Sequence, residues 1–260
     1  MLKVLVPVSG GKDSQLCLQL AIEKFGRESV RGLFCDTQFE HDLTYAHIDK
    51  MRGWYGVQID RVSAGDVPTK VRRYGRFPSG TARFCTDELK IRPTIKYLKS
   101  LAEELGHGLE VWYGMRTEES TERSIRYKGR VADELMAPHE FMAGKYPKYL
   151  AKMGVLVRLP IINWSKWQVL HEVGERLNPL YPAGFDRVGC FPCLAAGDVH
   201  KERAFAFDDI GRKHKVIVLQ LEKETGKSVW TSKGGLNAKQ PCANVHALHG
   251  IGTFHTIIPR

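Results

Sequence analysis

Apolar positions along the chain fall into two rhythms. Short, mostly apolar stretches at residues 2–8, 30–35, 110–113 and 155–159, and an alternating one at 57–62, read as strands. Longer stretches at 15–25, 43–55, 87–105 and 166–177 carry apolar residues at helical spacing. In 87–105 the stripe is Leu89, Ile91, Ile95, Leu98 and Leu101. Strand and helix in alternation predict an α/β fold, a parallel sheet with helices on both faces. The loops that leave the carboxyl ends of such strands are where ligands bind.

Two stretches break the rhythm. Residues 124–154 are irregular and basic, with Gly129, Pro138, Gly144 and Pro147, and read as a mobile excursion over the site. From residue 198 the pattern changes again, with one or two helices over 200–224 and then a Gly-, His- and Lys-rich tail. The division expected is a nucleotide-binding catalytic domain over 1–197 and a basic helical C-terminal appendage over 198–260.

The first loop carries the most chemistry. Residues 9–14 read Ser-Gly-Gly-Lys-Asp-Ser. Gly10 and Gly11 let the backbone approach a ligand closely, and successive N–H groups can form an anion nest. Ser9 and Ser14 add hydroxyls, Lys12 a charge, and the following helix presents its positive end. The spacing matches neither the mononucleotide P-loop nor the dinucleotide fingerprint. Its bland alternative is a ligand-free strand-to-helix turn.

Composition narrows the partners. The 260 residues are 43% hydrophobic and 26% charged, ordinary for a globular protein. No apolar run approaches the roughly 20 residues of a membrane span. The N-terminal run enters the fold at once, without a signal peptide, so a cytoplasmic protein is expected. Net charge is +10. Residues 61–100 hold ten Lys/Arg against three Asp/Glu, which suits a polyanionic partner, nucleic acid among them, or a phosphate-rich substrate. The six cysteines do not suggest disulfides in a chain of this size and kind. Cys17 and Cys35 read as small core residues.

Further candidates follow later strands. Asp36 and Thr37 end the second strand, either to touch a ribose or metal or to cap a helix. Cys85 sits at a helix start that favours a thiolate. Lys90, five residues on, is placed to reach a phosphate or sulfate. Gly114 precedes Arg116, and Arg123 follows a turn later. Two guanidinium groups so spaced can clamp a phosphate, or pair with Glu118 and Glu119. Arg187 precedes Cys190-Phe-Pro-Cys193, a pair open to redox, zinc or iron–sulfur roles. Zinc would need Cys85 and a histidine such as His139 or His200.

Ser-Gly-Gly-Lys-Asp-Ser resembles the PP-loop of the N-type ATP pyrophosphatases, the adenine nucleotide alpha-hydrolase superfamily. With Gly114-Met-Arg116 and Gly189-Cys190-x-x-Cys193, residues 1–200 resemble the phosphoadenosine phosphosulfate reductase branch, including the ATP pyrophosphatases of DNA phosphorothioation and tRNA thiolation. The resemblance implies ATP with Mg²⁺, or phosphoadenosine phosphosulfate, as the nucleotide. It implies catalytic roles for Lys12, Asp13, Lys90 and Arg116. Nucleotide contacts would come from residues 9–14, Asp36, Thr37, Gly114, Arg116, Arg123 and Arg187. A four-iron, four-sulfur cluster would rest on Cys85, Cys190 and Cys193, since Phe84 stands where relatives carry a fourth cysteine. Zinc or free thiols are the alternatives.

The function so implied is adenylylation of an acceptor, such as a nucleic acid, for sulfur transfer, with a cysteine desulfurase as sulfur donor. One alternative is a phosphosulfate reductase producing sulfite. The chain lacks the Glu-Cys-Gly-Leu/Ile-His motif of the simple reductases, and Cys242 matches it poorly. The other is a non-catalytic ATP-binding module that positions a sulfur-transfer partner.

Overall fold

The computed structural model describes residues 1–80 and 82–231; Cys242 and the histidines of the tail lie outside them. Six strands form one sheet in the order β3-β2-β1-β4-β6-β5. They are β1 (Val4–Val8), β2 (Val30–Asp36), β3 (Ile59–Ser63), β4 (Glu110–Trp112), β5 (Leu135–Met136) and β6 (Leu156–Arg158). All pairings are parallel except that of β5 with β6.

Strand β1 shows why its run is apolar throughout. Val4, Val6 and Val8 enter one core with Leu16 and Leu18, while Leu5 enters the opposite core with Leu98 and Val157. Helices α1 (Lys12–Phe25) and α2 (Asp42–Tyr55) cover the first face. Helix α3 (Val67–Tyr74), which the rhythm did not reveal, is announced only by the Asp66 cap and a proline in its first turn.

The expected helix over 87–105 is more complex. A turn at α4 (Phe84–Thr86) runs into a wide π turn (Asp87–Ile91) and then α5 (Arg92–Leu105). Pro93 cannot donate to the carbonyl four residues back, and the Arg92 N–H reaches the Asp87 carbonyl five back instead. Such turns recur at functional sites.

Residues 124–154 are not the excursion expected. Between α6 (Thr121–Arg126) and β6 they form β5, α7 (Pro138–Phe141) and α8 (Tyr149–Lys152). Tyr127, Met136, Phe141, Tyr146 and Leu150 are buried in the core beneath α5. Their irregular spacing among Gly and Pro hid that core from periodicity. Helix α9 (Lys166–Val173) returns to the first face. Helices α10 (Asp198–Phe207) and α11 (Asp209–Thr225) then pack Phe205, Val218 and Leu221 against Val67, Val71, Phe84 and Leu89.

Succession along the sheet reverses beside β1, between β2 and β4. The β1–β4 register ends at Leu5↔Val111, whereas β1–β2 continues to Val8↔Phe34. The strands therefore part at their carboxyl ends, the crevice in which open α/β sheets bind ligands.

Candidate active site

The loop of residues 9–14 fills that crevice. Gly10 has φ +73°, and a Cβ there would lie 2.7 Å from Thr44 Cγ2. The Ser14 hydroxyl donates to the Gly11 carbonyl at 3.0 Å and accepts from Ser9 N at 3.1 Å, closing the loop on itself. No side chain caps α1, whose N-cap is Gly11.

Two residues far along the chain hold the loop from outside. Asn178, fully buried, donates to the Gly10 carbonyl at 3.1 Å and accepts from Leu180 N at 3.0 Å. The Tyr181 hydroxyl accepts from Lys12 N at 3.0 Å, and the Lys12 ammonium lies over its ring. Sequence reasoning assigned neither residue a role.

Charges alternate across the cradle. Asp13 bonds Lys12 Nζ at 2.8 Å and Arg116 Nε at 2.6 Å, and Arg116 also donates to Glu118 at 2.6 Å. Lys12 and Arg116 are both buried. Gly114 permits this meeting: a Cβ there would stand 2.6 Å from the Asp13 backbone. Arg123 pairs with Glu119, so the two guanidinium groups of the expected clamp are held by three carboxylates, Asp13, Glu118 and Glu119. Lys12, Asp13, Lys90, Arg116, Arg123 and Arg187 all line one cavity of about 640 Å³ over the loop, a size that suits a nucleotide.

From Lys90 an apolar slot of about 180 Å³ runs over the carboxyl ends of β1 and β2, bounded by Cys35, Glu40, Tyr113 and Tyr146. Asp36 and Thr37 line neither space. Burial pushes the Asp36 carboxyl up, but Arg61 at 2.6 Å, the Gln38 N–H and the Tyr45 hydroxyl outweigh it and hold it below its usual range. Thr37 donates to Glu40 at 2.7 Å, and its hydroxyl lies 3.2 Å from Cys190 Sγ. The cap of α2 is His41 rather than either residue. Glu40 is buried, and that burial raises its pKa.

Cys85, Cys190 and Cys193 are half-buried and gather about Lys90. The π turn explains this: five-residue hydrogen bonding brings Cys85 and Lys90 to one side. Cys190 most strongly, with Glu40 and the other two thiols, pushes Lys90 up to about 12 against the effect of burial. Burial raises Cys190 to about 11 and also raises Cys85, with Cys193 adding to both. Among the described residues no three His, Cys, Asp or Glu side chains close on a single ion, as zinc would require. A multi-iron cluster binds each thiolate to its own iron and does not need such closure. The donor set suits it in kind: three soft sulfur side chains gathered about one lysine.

Fold and cradle define an α/β protein that presents a glycine-rich anion loop at the carboxyl edge of a mostly parallel sheet. The chain belongs to the phosphoadenosine phosphosulfate reductase domain family, whose model matches residues 3–196. It is 28% identical over 237 residues to an uncharacterised protein of Methanocaldococcus jannaschii, covering 89% of this chain and 45% of that one. The chain thus spans less than half of that relative's length. An uncharacterised protein of Escherichia phage 186 is 28% identical over 253 residues, covering 78% of this chain and 70% of the other. Among solved structures, phosphoadenylyl-sulfate reductase of Candida auris aligns with TM-score 0.47 and 18% identity, over 74% of this chain and 82% of that one. FMN adenylyltransferase of Candida glabrata aligns with TM-score 0.46 and 14% identity, over 73% and 53%.

Proposed function

We propose that the chain binds ATP on residues 9–14 and transfers its adenylyl group to an acceptor, a nucleic acid phosphate, in preparation for sulfur transfer. An acceptor oxygen bonds to the α-phosphorus, the bond to the bridging oxygen breaks, and pyrophosphate leaves with the electron pair. Lys12 and Arg116 offset the charge that grows on pyrophosphate. Asp13, whose carboxylate faces the same cavity, would hold Mg²⁺ against the phosphates. Asp36 does not line this cavity, which favours Asp13 for that role. A partner such as a cysteine desulfurase supplies sulfur as a persulfide, and a thiol reductant releases it as hydrosulfide while itself ending in a disulfide; the hydrosulfide sulfur then bonds to the acceptor atom, and AMP leaves with the oxygen.

The observation that carries this reading is the position of Lys90. It lines the nucleotide cavity while standing among three thiols, so phosphate chemistry and sulfur chemistry meet at one residue. Cys85, Cys190 and Cys193 would hold the iron–sulfur cluster, which when bound supplies an open iron for sulfide. Lys90 would orient the anion between them.

The test is pyrophosphate release from ATP, with and without an oligonucleotide acceptor. Release that requires the acceptor, together with an AMP-linked oligonucleotide, is the expected result. No release with either DNA or RNA would overturn adenylyl transfer. The family's description favours a second reading, reduction of phosphoadenosine phosphosulfate. It predicts sulfite from that substrate and no pyrophosphate.

A further inference from the structure

Beyond Met115 lies a second cavity, of about 540 Å³. It shares Met115, Glu119, Arg123 and Arg187 with the nucleotide cavity, so the two are compartments of one cleft. Thr86 and Asp87 in its wall place it beside the start of the helix that carries Cys85.

The charges of this compartment do not balance locally. Glu119 is taken by Arg123, Glu122 by Arg126, and Asp87 by Lys145 and Arg92. Glu140 accepts from the Ala137 N–H. Arg83 and Arg187 are exposed, and among the described residues neither side chain has a hydrogen-bond or ion-pair partner. Burial lowers the Arg123 pKa, and the neighbouring Arg187 and Arg83 charges lower it further. All three guanidinium groups line this one compartment, an arrangement that an anion relieves.

We infer that this second compartment binds a phosphodiester of a nucleic acid acceptor, with Arg83, Arg123 and Arg187 around one phosphate. The inference rests on the adenylyl-transfer reading and names where its acceptor lies. A phosphate here shares one cleft with the nucleotide loop and lies against Thr86 and Asp87, next in sequence to Cys85. Cations continue outward from it. Arg76 lies at 5.3 Å over the ring of Phe84, next in sequence to Arg83. Such a strip follows a chain of phosphates, which a single small nucleotide does not supply.

The test uses the full chain and a short fluorescein-labelled single-stranded oligonucleotide, as DNA and as RNA, with anisotropy measured across a salt series. Arg83→Gln should weaken binding of the preferred form roughly tenfold and lower the log–log salt slope by about one. Binding of a fluorescent ATP analogue should be retained, which shows the variant folded. Lys96→Gln, on a separate cavity beside α5, should leave oligonucleotide binding unchanged. Oligonucleotide affinity and slope unchanged in Arg83→Gln overturn the inference, as does wild type that binds neither DNA nor RNA. Weakened binding of adenosine 3′,5′-bisphosphate with oligonucleotide binding intact also overturns it, in favour of a small-nucleotide subsite. Pyrophosphate release is scored separately: its absence alongside intact, Arg83-dependent oligonucleotide binding sinks adenylyl transfer and leaves the binding site standing.

Discussion

Gly114→Ala tests the link from backbone spacing to the nucleotide cradle. The new Cβ would lie 2.6 Å from the carbonyl carbon and oxygen of Asp13 and 2.7 Å from Ser14 N. That is roughly 0.8 Å short of ordinary contact, and the opposing atoms are backbone, which cannot swing aside. The loop after β4 and the start of α1 must therefore part. Overpacking of this kind costs about 1–3 kcal/mol, and about 2–4 °C of Tm per kcal/mol at this chain length. Arg116 rides on the displaced loop, so its 2.6 Å bond to Asp13 stretches beyond a useful hydrogen bond. Weakened ATP binding, by about tenfold or ~1.4 kcal/mol, is the result expected from calorimetric titration. Gly53→Ala is the control, because a Cβ there meets nothing within 4 Å, and a helical Gly→Ala change should hold or raise Tm. A Gly114→Ala protein with unchanged Tm and unchanged ATP affinity would refute the close approach. A lowered Tm with unchanged affinity would refute its connection to the cradle.

Two further perturbations separate support from chemistry. Asn178→Ala leaves the Gly10 carbonyl and the Leu180 N–H without their buried partner. It should lower stability by about 2–4 kcal/mol and weaken ATP binding, read by thermal melting and titration; unchanged values for both would remove Asn178 as the loop's support. Glu88 gives a pH signature away from the nucleotide. Hydrogen bonds from Tyr74 and then Lys70 hold its carboxyl at about 2, against an ordinary 4.5. The unfolded chain protonates first, so this contribution is full above about 5 and is lost as pH falls from 4.5 toward 2. The stability advantage of wild type over Glu88→Gln should shrink across that interval; a constant gap in denaturant melts would show the carboxylate is not specially held.

The sheet and the phosphate loop were legible because both are local. A strand's rhythm and a hexapeptide lie within a few residues of each other, and five predicted strands stand within two residues of those observed. Elements that depend on distant partners were not legible. β5 has two residues and takes its pairing from β6. The burial of residues 124–154 depends on apolar residues at no fixed period. Within the site, Gly10, Gly11 and Lys12 declared themselves, whereas the residues that brace them lie about 170 positions away. Lys90 was read from an ordinary helical turn. Its meeting with Cys85 comes from a π turn, for which Pro93 was the visible signal.

The placement of those braces orders events in the making of the protein. All six strands are complete by Arg158, yet the loop over α1 meets its two supports only at Asn178 and Tyr181. A nascent chain can therefore assemble its sheet some twenty residues before it can finish its nucleotide cradle. The smallest fragment with the whole scaffold is shorter than the smallest fragment with the function. Deletion series that report only solubility or circular dichroism would place the functional boundary too early.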